Sequence, residues 1–200
     1  MLILRIIAAY AFVCGVVIGS AAAQTATASA KVPAAAFSSV VPSANFRTAD
    51  LGVMRIDRPE NWQVFSSRQD FSATIAPRAG ASGSAVAYGV VIQPLEPDPS
   101  MSLQQLTAAF IESLQRDDSN MKRVGDIQVQ SVNGKSVSSV ELETISPMAD
   151  SEGKPQRERD WLVTMPRGRG DAVFVVFVST LARFDQLRPT FDRMLRSIQF

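Results

Sequence analysis

The chain has 200 residues, 20 Lys and Arg against 19 Asp and Glu, a net charge of +1 and 46% hydrophobic residues. That is room for one domain with a tail, and eleven Phe and two Trp suffice to build a core. A near-neutral balance without a polybasic run leaves no electrostatic footprint for nucleic acid or an anionic lipid surface.

Residues 1–23 have the three parts of a bacterial-type export signal. Arg5 gives the positive start, Ile6 to Ile18 is almost continuously apolar, and Ala21-Ala22-Ala23 offers the small-x-small cleavage pattern. The mature chain is therefore expected to begin at Gln24, in the periplasm or outside the cell. An apolar run of about 13 residues is short for a hydrocarbon core about 30 Å thick, which weighs against an uncleaved anchor. Cys14 does not fit a lipid-attachment position, because Val13 precedes it and apolar residues follow. Cleavage removes Arg5 and Cys14, leaving 19 basic and 19 acidic residues and no cysteine. The chain has no histidine at all, so disulfide, thiol and imidazole chemistry are excluded from the mature protein, and no cofactor or metal is expected.

Residues 24–45 are Ala, Ser, Thr, Val and Pro with one charge, Lys31, and read as a flexible tether. One domain is expected over 46–200. Its first strands are predicted at Gly52–Asp57, Gln63–Ser67 and Phe71–Ala76, with Arg58-Pro59-Glu60-Asn61 as a link and Ala79–Ser84 as a loop. Ala85–Gln93 places Val86, Tyr88, Val90 and Ile92 at a period of two, the mark of a half-buried strand. Ser102 and Gln105 make a capping box ahead of Leu103, Leu106, Phe110 and Leu114, predicting a helix that ends near Arg116–Asp117. Asn133-Gly134 between Val124–Val132 and Lys135–Glu143 predicts a hairpin with a type I′ turn.

A second hairpin is expected from Gln156–Met165 and Ala172–Ser179. The latter is apolar on both faces and should be a central, doubly covered strand. Leu187, Phe191, Leu195 and Ile198 share the face of a closing helix. Pro189 is expected in its first turn, with 183–188 as a separate short turn. Together these elements predict an α+β domain: a central antiparallel sheet with helices packed on both faces.

Five segments occur in an order that resembles PsbP-like domains: Pro59-Glu60-Asn61-Trp62, Thr74-Ile75-Ala76-Pro77, Ala87-Tyr88-Gly89-Val90, Asn133-Gly134-Lys135 and Pro189-Thr190-Phe191 through Ser197. More narrowly, the chain is similar to secreted bacterial PsbP-like segments, some of them appended to zinc metallopeptidases. The resemblance covers about residues 46–200. It implies a sheet sandwiched between helices and a non-enzymatic accessory or binding role, and it supplies no catalytic residues. The HExxH peptidase motif is missing, so any peptidase link would run through a partner.

Several short patterns could carry chemistry. Ser151-Glu152-Gly153-Lys154 matches S-x-x-K, but Gly153 and Pro155 break the helix that Ser-Lys catalysis needs. Arg169-Gly170-Asp171 is an adhesion tripeptide and equally a hairpin turn. Gly80–Ser84 could cradle an anion through backbone N–H groups, yet lacks the spacing of a P-loop. Glu141 and Glu143 share a strand face at a separation that glycosidase chemistry uses, as any two alternate strand residues do. Arg157-Glu158-Arg159-Asp160 is the densest charge cluster. Arg157 and Arg159 would share a face with Trp161 as a cation–π or anion-binding patch, set against a solvated edge strand. Tyr88 and Trp62 complete the candidate binding patch of Arg157, Arg159, Trp161, Tyr88 and Trp62, against a reading of the aromatics as core.

The sequence thus favours an exported, non-catalytic binding or accessory module whose partner is an exported or envelope protein. The alternatives are a hydrolase using carboxylates or a Ser/Lys pair, and a carrier of a small apolar ligand near Tyr88 or Trp161.

Overall fold

The computed structural model describes residues 37–66, 72–83, 85–97, 100–168 and 170–200. The expected signal peptide, the tether up to residue 36, and Ser67, Phe71, Ser84 and Arg169 of the predicted elements lie outside the described residues.

Seven strands form one antiparallel sheet in the order β3-β4-β7-β11-β10-β9-β8. They are β3 (Gln63–Ser66), β4 (Ala73–Ala76), β7 (Gly89–Leu95), β8 (Lys122–Val132), β9 (Lys135–Ala149), β10 (Pro155–Gly168) and β11 (Asp171–Thr180). Four short strands pair outside this sheet, β1 (Phe46–Asp50) with β2 (Arg55–Pro59) and β5 (Ala81–Ser82) with β6 (Ala85–Val86). The helices are α1 (Leu103–Asp117) and α2 (Phe184–Arg196).

Strand β11 stands fourth of the seven, so each of its faces needs cover. Val173, Val175 and Phe177 point to the larger core, which α2 and the β1–β2 ribbon close. There Phe177 stacks on Trp161 with centroids 5.0 Å apart and tilts against Phe191 of α2 at 5.2 Å. Phe174 points the other way and stacks on Phe110 of α1 at 3.8 Å. Burying one such side chain contributes roughly 1.5–3 kcal/mol, and the alternation lets one strand seed both layers. The expected sandwich of helices on both faces is present.

Local signals explain most element ends. Gln105 N–H donates to Ser102 Oγ (3.2 Å) and Ser102 N–H donates to Gln105 Oε1 (2.9 Å), so the capping box starts α1 as predicted. Asn133 and Gly134 have φ of 51° and 75°, the paired positive values that a type I′ turn requires. The amide of Asn133 also donates to the Arg196 carbonyl at 2.6 Å, tying this turn to the end of α2.

Other expectations are corrected. The first strand is Phe46–Asp50, and the strand predicted at Gly52–Asp57 runs Arg55–Pro59 instead. Pro59 can end it because this ribbon lies outside the seven-stranded sheet, where a missing N–H breaks no central ladder. The strand expected over Ala85–Gln93 is split at Ala87 and Tyr88, whose N–H groups both donate to the Gly80 carbonyl (2.8 and 3.2 Å). Val86 therefore packs with Val91 and Val178, away from Tyr88, Val90 and Ile92. Pro189 lies beyond the first turn of α2, because the helix begins at Phe184 directly after a 3-10 turn at Leu181–Arg183. Its lost hydrogen bond is tolerated on a helix anchored by buried Leu187, Phe191, Met194 and Leu195. The packed body begins at Val40, inside the segment read as tether. Val40 is fully buried, and Asn61 holds the chain next to it by accepting from Ser43 N–H (2.8 Å) and donating to the Val41 carbonyl (2.9 Å).

Candidate functional site

Strand β10 presents two chemically opposed faces. Its odd-numbered residues Arg157, Arg159 and Trp161 look toward α2, and its even-numbered residues Glu158, Asp160, Leu162 and Thr164 look toward α1. It is an interior strand between β11 and β9, which corrects the reading of this charge cluster as a solvated edge.

On the α2 side the charges form a ladder. Arg157 pairs with Glu143, and Arg159 pairs with both Glu143 and Glu141, the latter at 2.5 Å. Glu141 continues to Arg188 of α2 at 3.0 Å, and Arg188 to Asp192 at 3.6 Å. The Arg188 guanidinium lies 3.6 Å from the centre of the Trp161 ring, so the close cation–π partner of Trp161 is Arg188 rather than Arg157 or Arg159. Glu141 and Glu143 share a face as expected and are engaged by Arg157, Arg159 and Arg188. Arg157 keeps 64% of its side chain exposed and stands opposite Ile145, itself 47% exposed.

The remaining candidates lie elsewhere. Trp62 is fully buried and meets Phe191 edge-on at 6.3 Å. Arg58, 7% exposed, donates to the carbonyls of Pro59 (3.2 Å), Glu60 (3.3 Å) and Trp62, which holds the loop before β3. Tyr88 is 5% exposed, and its hydroxyl shares a 2.8 Å hydrogen bond with Thr180 Oγ1. Of the five patch residues, three share the α2-side face of β10, while Trp62 and Tyr88 are core side chains set apart from it. Lys154 pairs with Glu152 at 2.6 Å in an exposed turn, and the Asp150 carboxylate accepts the N–H groups of Glu152 (2.9 Å) and Lys154 (2.7 Å). The Gly80 carbonyl fastens Ala87 and Tyr88, which gives the proposed anion cradle a structural task. Gly170 and Asp171 belong to the β10–β11 turn, where Asp171 pairs with Arg167 at 2.9 Å; Arg169 lies outside the described residues.

The α1 side holds what the sequence reading missed. Glu158 and Asp160 are each 3% exposed, and Glu158 Oε2 and Asp160 Oδ1 are buried without a hydrogen-bond partner. Asp118, the C-cap of α1, accepts a 2.5 Å hydrogen bond from Thr144 Oγ1 of β9, whose Cα is the register partner of Glu158. Burial pushes the Asp160 carboxyl up to about 7, with the charge of Asp118 adding to it. Burial likewise raises Glu158 well above the usual carboxylate range, joined by Asp160 and Asp118 and opposed by a hydrogen bond from Ser146. Among the described residues no group of His, Cys, Asp or Glu is placed to hold a metal ion. This corner can hold protons, but in this conformation its carboxyls are closed to a substrate. The signal available in the sequence was the i, i+2 spacing of two acids on a strand, hidden by the arginines between them.

No protein-family model matches the chain, and no curated protein sequence matches it. Solved structures do. One is cyanobacterial PsbP (CyanoP) from Synechocystis sp. PCC 6803, with TM-score 0.52 and 12% identity over 80% of this chain and 93% of that one. Another is the Ran-binding protein Mog1p of Saccharomyces cerevisiae, with TM-score 0.54 and 13% identity over 78% of this chain and 96% of that one. At such identities the likeness shows the fold. The chain has the α+β fold of these proteins, which is the fold its resemblance to PsbP-like domains implies.

Proposed function

We propose that the chain is an exported, non-catalytic binding module that recognises an exported or envelope protein through the α2-facing surface of β9 and β10. The observation that carries this reading is the pairing of an exposed apolar side chain, Ile145, with the exposed, Glu143-anchored cation Arg157, at the end of a ladder that Arg159 and Arg188 hold in place. An apolar anchor ringed by fixed polar groups is the chemistry of an interface hot spot. The fold also serves partner recognition in Mog1p, a Ran-binding protein. No described helix is long and apolar enough to cross a membrane. Export rests on the features of residues 1–23 and localises the module to the periplasm or beyond.

The test is site-specific photo-cross-linking in the cell envelope fraction, with the probe at position 145 and a control at Glu112, exposed on α1. A discrete adduct at 145, absent at 112 and lost in Arg157→Glu, is expected. No adduct, or equal adducts at both positions, overturns the surface. N-terminal sequencing should give Gln24 first; an intact Met1 overturns export by cleavage.

A further inference from the structure

We propose that Asp118, Glu158 and Asp160 form a proton-binding site that fastens the C-terminal end of α1 to the sheet when loaded and releases that end when emptied. Three acids from two elements converge here, and none of the ion pairs among the described residues reaches Glu158 or Asp160. An unpaired carboxylate oxygen out of water is costly, whereas a protonated carboxyl is neutral and can itself donate. Two such oxygens, Glu158 Oε2 and Asp160 Oδ1, are sealed in this corner. The closed conformation is therefore the proton-loaded one.

Among the described residues no ion pair joins a cation to these carboxyls. At the end of α1 stand Asp117 and the C-cap Asp118, both acidic, and the cation Arg116, whose side chain is exposed. On β9 the facing groups are the hydroxyls of Thr144 and Ser146. On β11 it is Thr180, the register partner of Glu158, whose hydroxyl is engaged with that of Tyr88. On β8, Arg123 pairs in register with Leu142, two strands from Asp160, and its guanidinium is 3.9 Å from Asp126. Burial and the charge of Asp118 hold the Asp160 proton up to about 7, and burial with Asp160 and Asp118 raises Glu158 well above the usual carboxylate range, so the two carboxyls act on each other's protons.

The element that answers is the turn after α1. Asp118 N–H donates to the Leu114 carbonyl (2.8 Å), Asp118 Oδ1 accepts from Asn120 N–H (2.9 Å), and Met121 N–H donates to the Asp118 carbonyl (3.0 Å). The Thr144 hydroxyl and the buried Met121 side chain bind this turn to the sheet side, while Ser119 and Asn120 are exposed. Asp118 also sits at the negative end of the helix dipole. Loss of the protons to solvent sets like charges against Asp118, and swinging the exposed turn outward separates them at the least cost in buried area.

The experiment is hydrogen exchange of the full chain at residues 114–121, at about pH 6 and about pH 8.5, corrected for intrinsic exchange. Opening should increase at least about tenfold in the wild type and stay constant in Glu158→Gln/Asp160→Asn, whose neutral amides mimic the loaded state. Unchanged protection in the wild type, or the same increase in the variant, overturns the proposal. Should the variant fail to fold, carboxyl-carbon NMR of the wild type decides. Titration of Asp160 near neutrality, moving the resonances of 118–121 with it, supports the site. Titration in the ordinary carboxylate range overturns it.

Discussion

Arg188 lies across the face of Trp161 at 3.6 Å while the same guanidinium reaches Glu141 at 3.0 Å. One side chain from α2 thereby caps an indole of the main core and closes the ion-pair ladder of β9 and β10. A planar, always-charged group can do both at once; an ammonium on the same stem cannot. Arg188→Ala should lower stability by about 1–2 kcal/mol, since the pair is partly solvated. Arg188→Lys should recover less than half of that loss. Urea unfolding checks both, and a double-mutant cycle with Trp161→Phe should show coupling between the two residues. Additive losses would mean that the stacking carries no energy.

Gly89 has φ of 148°, and a Cβ there would stand 2.5 Å from the Ile75 carbonyl and 2.9 Å from the Ala76 Cβ. The contact is backbone to backbone, so neither side can yield by changing rotamer. Gly89→Ala should cost about 2–4 kcal/mol, read as a fall in Tm. Gly134→Ala, open on every side and strained only by φ, should cost less, about 1 kcal/mol.

Asn133→Ala removes both a residue at ease with positive φ and the hydrogen bond to the Arg196 carbonyl. A loss of about 1–2 kcal/mol is expected, with faster exchange at the end of α2 as its distinguishing mark. Asn133→Gly keeps the turn and loses the bond, so it should fall between wild type and Asn133→Ala.

The Asp160 carboxyl is raised from 3.8 to about 7 on folding. The native state therefore holds this proton more tightly than the unfolded chain does. The stability linked to Asp160 is complete below pH 4, declines as pH rises to about 7, and is flat above that. Asp160→Asn should abolish this decline. Urea midpoints from pH 4 to 8 should show the variant gaining on the wild type as pH rises; parallel curves would refute the linkage.

The architecture was legible where a pattern had a local cause. Ser102-Leu-Gln-Gln105 carries its own cap, Asn133-Gly134 its own turn, and the double-faced apolar run Ala172–Ser179 its own requirement for two covers. What stayed hidden depended on who the neighbours are. Arg157-Glu158-Arg159-Asp160 reads as a solvated edge because alternating charges usually are one. Only the pairing of β10 on both sides turns Glu158 and Asp160 inward beneath the end of α1. Arg188 was equally invisible as the partner of Trp161, 27 positions earlier and on a different element. Val86 changed faces because two N–H groups converge on the Gly80 carbonyl, an event that no period of two records.

Three of the five short segments that carry the family resemblance meet at the last helix. Trp62 packs on Phe191, Asn133 binds the Arg196 carbonyl, Ser197 Oγ accepts from Asp57 N–H at 2.8 Å, and Arg55 and Gln199 exchange two backbone hydrogen bonds. The final sixteen or so residues are thus the keystone of a core whose other stones are laid up to about 150 positions earlier. The larger hydrophobic core therefore stays open until residues 184–199 are in place. Removing residues 197–200 would strip the β1–β2 ribbon of its backbone clasp, so a segment that itself buries little decides whether a distant ribbon stays closed over the core.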